Sequence, residues 1–149
     1  MRAEESWYFH RAVTLSRAMF PGVFLYFLFA VATEAFDWNI FIYTAKDTVT
    51  STGYVLTFFA VLTFPAARVI ERLMSRGTPG GDALFKKLYY ATLINLGIGE
   101  IHSVFGIVLY VMSGDVRYFF LFFNLGLLHI IVSSPREKRW DAYTEDINK

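Results

Sequence analysis

The sequence predicts an all-α integral membrane bundle of four transmembrane helices in two hairpins, with an interfacial helix ahead of the first. Three observations lead there. Of the 149 residues, 55% are hydrophobic. They concentrate in runs over residues 18–36, 54–70, 88–112 and 118–132, each near the roughly 20 residues that cross about 30 Å of hydrocarbon. Apart from Arg68 near the end of the second, Lys and Arg avoid these runs and gather on one side of them. Arg2, Arg11 and Arg17 precede the first run; Arg68, Arg72, Arg76, Lys86 and Lys87 surround the link between the second and third; Arg136, Lys138, Arg139 and Lys149 follow the fourth. Only Lys46 and Arg117 lie on the other side, so the bias toward basic cytoplasmic loops places both termini in the cytoplasm of a multi-pass inner-membrane protein. The external loops are then short, around residues 37–51 and 113–117.

Taken in order, residues 4–17 mix Trp7, Tyr8, Phe9 and Val13 with Glu4, Glu5, His10 and Arg11, which suits an amphipathic helix lying among headgroups. No small-residue cleavage pattern follows the first apolar run, so a removable leader is not expected there. Pro21 is expected in the first turn of span one, where its missing N–H costs little. Pro65 lies deeper in span two and predicts a kink, with the freed carbonyl satisfied by a neighbouring helix. Residues 75–82, SRGTPGGD, form the clearest linker but lack the GxxxxGK[ST] pattern of a phosphate loop. Pro135 stops span four, and the tail over 133–149 carries Trp140 and Tyr143 among charges, the pattern of an interfacial anchor.

Several chemistries drop out. The chain has no cysteine, which excludes thiolate metal sites, iron–sulfur clusters and disulfides within it. Its basic residues sit in ones and twos at span ends, so nucleic acid is not an expected partner. No Ser/His/Asp or HExxH constellation points to catalysis.

What remains is a set of polar groups at membrane depth. Glu100 is the one acid in 88–112 and has no basic companion there. Keeping it protonated at pH 7 costs about 3.7 kcal/mol. An ionised acid at a helix centre costs about 2.5–3.5 kcal/mol on insertion scales, so modest surroundings decide its state. At about 100° per residue, Asn95, Gly99, His102, Ser103 and Gly106 share one face of the third helix, the pattern of a close helix contact with hydrogen bonds across it. Asn124 on the fourth helix joins this group as a polar packing residue. Glu100 is displaced from that face by about 100°, so it must look to Glu34, another helix or another subunit. His102 and His129 flank the MSGD link at depths that agree to within about 5 Å, so they are candidate axial ligands for a b-type haem. Glu34 and Asp37, with Asn39 close by, form an external carboxylate pair suited to a hard cation or simply to the solvated end of a helix.

The segment Glu100-Ile-His-Ser-Val-Phe-Gly-Ile-Val-Leu resembles the ion-binding helix of rotary ATPase proteolipid subunits. There a membrane-embedded carboxylate is followed, four to six residues on, by an aliphatic residue, an aromatic and Gly, and then by further aliphatics. The matching positions are Glu100, Val104, Phe105, Gly106, Ile107 and Val108. More broadly, residues 87–140, with YYATLINLGIGE, GIVLYVMSGD and PREKRW, resemble a group of small, uncharacterised four-helix bacterial membrane proteins. The resemblance implies that Glu100 carries an ion. The expected function is a non-enzymatic membrane subunit of a homo-oligomer or larger complex, in contact with lipid and with no required cofactor. The alternatives are a structural accessory subunit and a haem-binding anchor using His102 and His129.

Overall fold

The computed structural model describes residues 2–147 other than Asn39 and Pro79. Asn39, expected beside Glu34 and Asp37, Pro79 of the linker and Lys149 of the tail therefore lie outside the described residues. A 3-10 turn over Ala3–Glu5 precedes α1 (Trp7–Ala35), α2 (Lys46–Ser75), α3 (Asp82–Ser113), α4 (Val116–Ser133) and α5 (Glu137–Ile147). The fold is all-α, and α1 to α4 are each long and apolar enough to cross a membrane.

Every long helix extends beyond its apolar run, because nothing in the flanking sequence breaks the backbone pattern. α1 passes unbroken from Trp7 through the first apolar run, so the segment over 4–17 is not a separate interfacial helix. Its first turns instead bury Phe9 and Ala12, on the inner seam that Ser16, Val23, Ala30 and Thr33 continue. Pro21 consequently falls in the interior of α1 rather than in its first turn. α2 begins at Lys46 and runs through Pro65 to Ser75.

The link from α3 to α4 is tight for local reasons. Gly114 takes the left-handed conformation at the end of α3, with φ 71°, and Asp115 caps α4 by accepting from the Arg117 N–H at 3.0 Å. The extended segment before α2 sends the N–H groups of Ile42 and Thr44 to the Val111 and Met112 carbonyls, at 2.8 and 2.9 Å. Those carbonyls belong to the last turn of α3, where no intrahelical donor remains.

α3 and α4 form the most closely packed pair, and α1 and α2 lie against them rather than chiefly against each other. Glycine permits the close α3–α4 approach. A Cβ at Gly126 would stand 2.6 Å from the Gly99 carbonyl and from Ser103 Oγ, and one at Gly106 would stand 3.0 Å from the Phe119 carbonyl. The face bearing Gly99, Ser103 and Gly106 is thus a helix contact, with Gly126 as its opposite number.

The tail also folds back. Trp140 on α5 is only 1% exposed, stacks on Phe85 at 5.9 Å and meets the edge of Phe9 at 5.2 Å. Its ring therefore closes a small core with Ala3, Phe9, Ala12, Leu84, Phe85 and Leu88, where a headgroup anchor is expected. The Ala3 N–H donates to Asp141 at 2.8 Å and ties the two ends of the chain together.

Candidate functional site

Glu100 lies within about 4 Å of the midpoint of α3, from its position in the helix at 1.5 Å per residue. Its carboxyl turns toward α1, where a Cβ on Gly22 would come 3.3 Å from Oε1. The side chain is half-buried and makes no hydrogen bond or ion pair among the described residues. Glu34 does not reach it. The Glu34 carboxylate instead accepts a 2.7 Å hydrogen bond from the Tyr110 hydroxyl, near the Gly114 end of the bundle. Asp37 is exposed with φ 50°, and no group of three or more His, Asp or Glu suited to a metal occurs among the described residues.

His102 and His129 do meet, as their matched depths imply. Their rings stand edge to face with centroids 5.3 Å apart. Between them is a residue on which the sequence reading placed no weight: Thr63 Oγ1 lies 3.3 Å from His102 Nε2 and 3.3 Å from His129 Nδ1. The same hydroxyl donates its single proton to the Ala60 carbonyl at 2.6 Å. Its lone pairs then face both imidazoles, and the tautomer of each ring sets which nitrogen carries the proton. The other nitrogens, His102 Nδ1 and His129 Nε2, are buried, with the backbone of Leu125 beside the first ring and that of Asn95 beside the second. A haem held by this pair would need its macrocycle between the rings, with one nitrogen on either side of the iron. Here one nitrogen of each ring is turned to a shared hydroxyl, so ligation would require both rings to turn away from Thr63.

This polar centre continues along α3. The Asn95 side-chain amide donates to the Ala67 carbonyl at 3.3 Å, joining α3 to α2 two residues beyond Pro65. That is not the Val61 carbonyl which Pro65 deprives of its usual donor. Thr92 Oγ1, Asn95 Oδ1, Ser103 Oγ and Ser133 Oγ are buried nearby in sequence on α3 and α4, likewise without hydrogen-bond partners. Asn124 stays outside the centre: it is exposed, and its amide donates to the Phe120 carbonyl of its own helix at 2.7 Å.

A second cluster sits where α2 and α4 end. Glu71 is 2% exposed and pairs with Arg68 and with Arg139, both at 3.3 Å. Arg139 also donates to the carbonyls of Val132, Ser133 and Ser134, at 3.1, 3.2 and 3.0 Å, and so caps the open end of α4. Burial lowers the Arg139 pKa, and the Glu71 carboxylate opposes that shift. Burial and then Glu71 raise the pKa of the Tyr143 phenol. The sequence did carry half of the signal, in the i,i+3 spacing of Arg68 and Glu71. Comparison of the chain with family models, with curated proteins and with solved structures finds no match.

Proposed function

We propose that this chain is a non-enzymatic membrane subunit, spanning the bilayer four times with both termini cytoplasmic, in which Glu100 exchanges a proton or monovalent cation at a site completed by another subunit. One observation carries the reading: a carboxyl at mid-helix depth with no partner of its own among the described residues. A buried acid that serves only as glue finds a donor within its fold, as Glu71 does. Glu100 instead lies half-buried on the seam between α1 and α3, beside a glycine that leaves room for it. The proteolipid-like run from Glu100 to Val108 agrees with that role.

The link through Thr63, His102 and His129 favours a second reading, in which the subunit is structural and its polar groups fix the register of α2, α3 and α4. Replacing Glu100 by Gln separates the two. We expect Glu100→Gln to abolish proton or cation flux in membranes containing the assembled complex, while the complex still purifies intact. Unchanged flux through an intact Glu100→Gln assembly would leave only the structural reading.

A further inference from the structure

The C-terminal turns of α2 and the first two turns of α5 form an open surface cleft of about 260 Å³ lined by Arg68, Arg72, Arg139, Ala142 and Tyr143. Three guanidinium groups face it, and one carboxylate, Glu71, lies behind them. The cluster thus keeps a surplus of positive charge. Its members are not equally occupied. Arg139 spends its terminal nitrogens on Glu71 and on the α4 carbonyls, although its Nε is buried with no partner. Arg68 holds Glu71 and the Val132 carbonyl, yet its side chain is 42% exposed. Arg72, four residues after Arg68 and so on the same helix face, is exposed, and its guanidinium makes no hydrogen bond or ion pair among the described residues.

We propose that this cleft binds a phosphate group, held by Arg72 and the outer edge of Arg68, with the Tyr143 hydroxyl at its side. The chemistry fits in three respects. Guanidinium forks match phosphate oxygens in pairs, and Arg68 and Arg72 present theirs from consecutive turns. The Tyr143 hydroxyl is 3.5 Å from Glu71, at the far limit of a hydrogen bond, and so can turn to a better acceptor. Glu71, by fixing Arg68 and Arg139, orders the site before an anion arrives. The cleft lies at the end of the apolar stretch of α2, which in the four-span reading reaches the headgroups, and basic pockets beside transmembrane helices take up such groups. The lipid is one source of the group and free phosphate in solution is the other. The inference is independent of the role given to Glu100.

The test uses the full chain, first in nanodiscs of phosphatidylcholine with and without phosphatidylglycerol, and then in neutral detergent with added inorganic phosphate. Retained lipid is read by native mass spectrometry and protection by the unfolding temperature. Arg72→Gln is the diagnostic variant because it removes no side-chain hydrogen bond or ion pair within the described fold, and Lys87→Gln removes an equal exposed charge elsewhere. Phosphatidylglycerol is expected to be retained in preference to phosphatidylcholine, whose choline the surplus positive charge repels. Arg72→Gln should weaken that retention about fivefold and Lys87→Gln should leave it unchanged. Protection by inorganic phosphate that Arg72→Gln abolishes would support the same site with the soluble source. Equal losses in the two variants, or neither lipid retention nor phosphate protection in the unmodified chain, would overturn the proposal.

Discussion

Three glycines on α3 and α4 occupy different environments, and the difference governs what a single methyl group does at each. At Gly126 an added Cβ would collide with backbone, 2.6 Å from the Gly99 carbonyl, and with Ser103 Oγ at the same distance. The Ser103 hydroxyl can rotate aside but the Gly99 carbonyl is backbone and cannot, so the helices must separate. Gly99 is gentler: its first obstacle is the Ile130 side chain at 2.7 Å, although the Gly126 carbonyl stands behind it at 3.2 Å. Gly97, two residues from Gly99 and so turned away from α4, would meet nothing within 4 Å. Gly126→Ala is therefore expected to destabilise the fold by about 1–3 kcal/mol, the usual range for overpacking. Gly97→Ala should be neutral, or stabilising by up to about 1 kcal/mol through helix propensity. Reversible unfolding in mixed micelles measures both, and equal effects would show that the close α3–α4 contact does not limit stability. The same closeness brings His102 and His129 within reach of one Thr63 hydroxyl, so packing and polar chemistry share their cause.

Among the elements, α5 shows how far tertiary contacts can outrun sequence pattern. Glu71 and Tyr143 are 72 residues apart, and Glu71 and Arg139 nearly as far, so no local spacing joins them. Trp140 among charges has the composition of a membrane-interface residue, and only its stacking on Phe85 reveals a core residue. By contrast, the four long helices were legible because hydrocarbon-length apolar runs leave the backbone no other way to satisfy its hydrogen bonds. The meeting of His102 and His129 was legible too, since a short link fixes the depth of both flanking helices. Thr63 was not, because its place opposite them depends on how α2 docks. The docking of α5 carries a pH signature through Tyr143. Its pKa is raised in the folded chain, by burial first and Glu71 second, so the folded state keeps a proton that the undocked state loses above about pH 10. Docking is thus fully supported below that pH and weakens as pH rises toward the folded value, while Arg139 remains a cation throughout. Trp140 emission, read in a chain carrying Trp7→Phe and Trp38→Phe, should report release of α5 at alkaline pH. Tyr143→Phe should flatten that alkaline profile, and a profile unchanged by the substitution would assign the transition to another group.

The whole molecule is least satisfied on its outside. Only 17% of the most apolar stretch of α1, and the same share of α2, is buried, against 44% in α3. Leu25, Leu28, Phe58, Phe59 and Leu73 are all more than half exposed, an apolar surface larger than a soluble monomer presents. Hydrocarbon or neighbouring subunits must cover it, which also sets the terms for Glu100 at its edge. The proposed orientation rests on charge, since by sequence twelve of the 14 Lys and Arg residues fall in the two terminal segments or around the α2–α3 link. Moving the end that carries Glu71 and α5 across a membrane would carry the guanidinium groups of Arg68, Arg72 and Arg139 through hydrocarbon, whereas the opposite end offers only Lys46 and Arg117. The absence of cysteine makes this directly measurable, because a single introduced thiol has no background. Thr48, exposed in the first turn of α2, marks one end; Gly80, where a Cβ would meet nothing within 4 Å, marks the other. On intact cells a membrane-impermeant maleimide should label Thr48→Cys and should reach Gly80→Cys only after permeabilisation. Labelling of both from outside would mean that the chain does not span as four helices, and the reverse order would invert the bundle and move the arginine-lined cleft to the external leaflet.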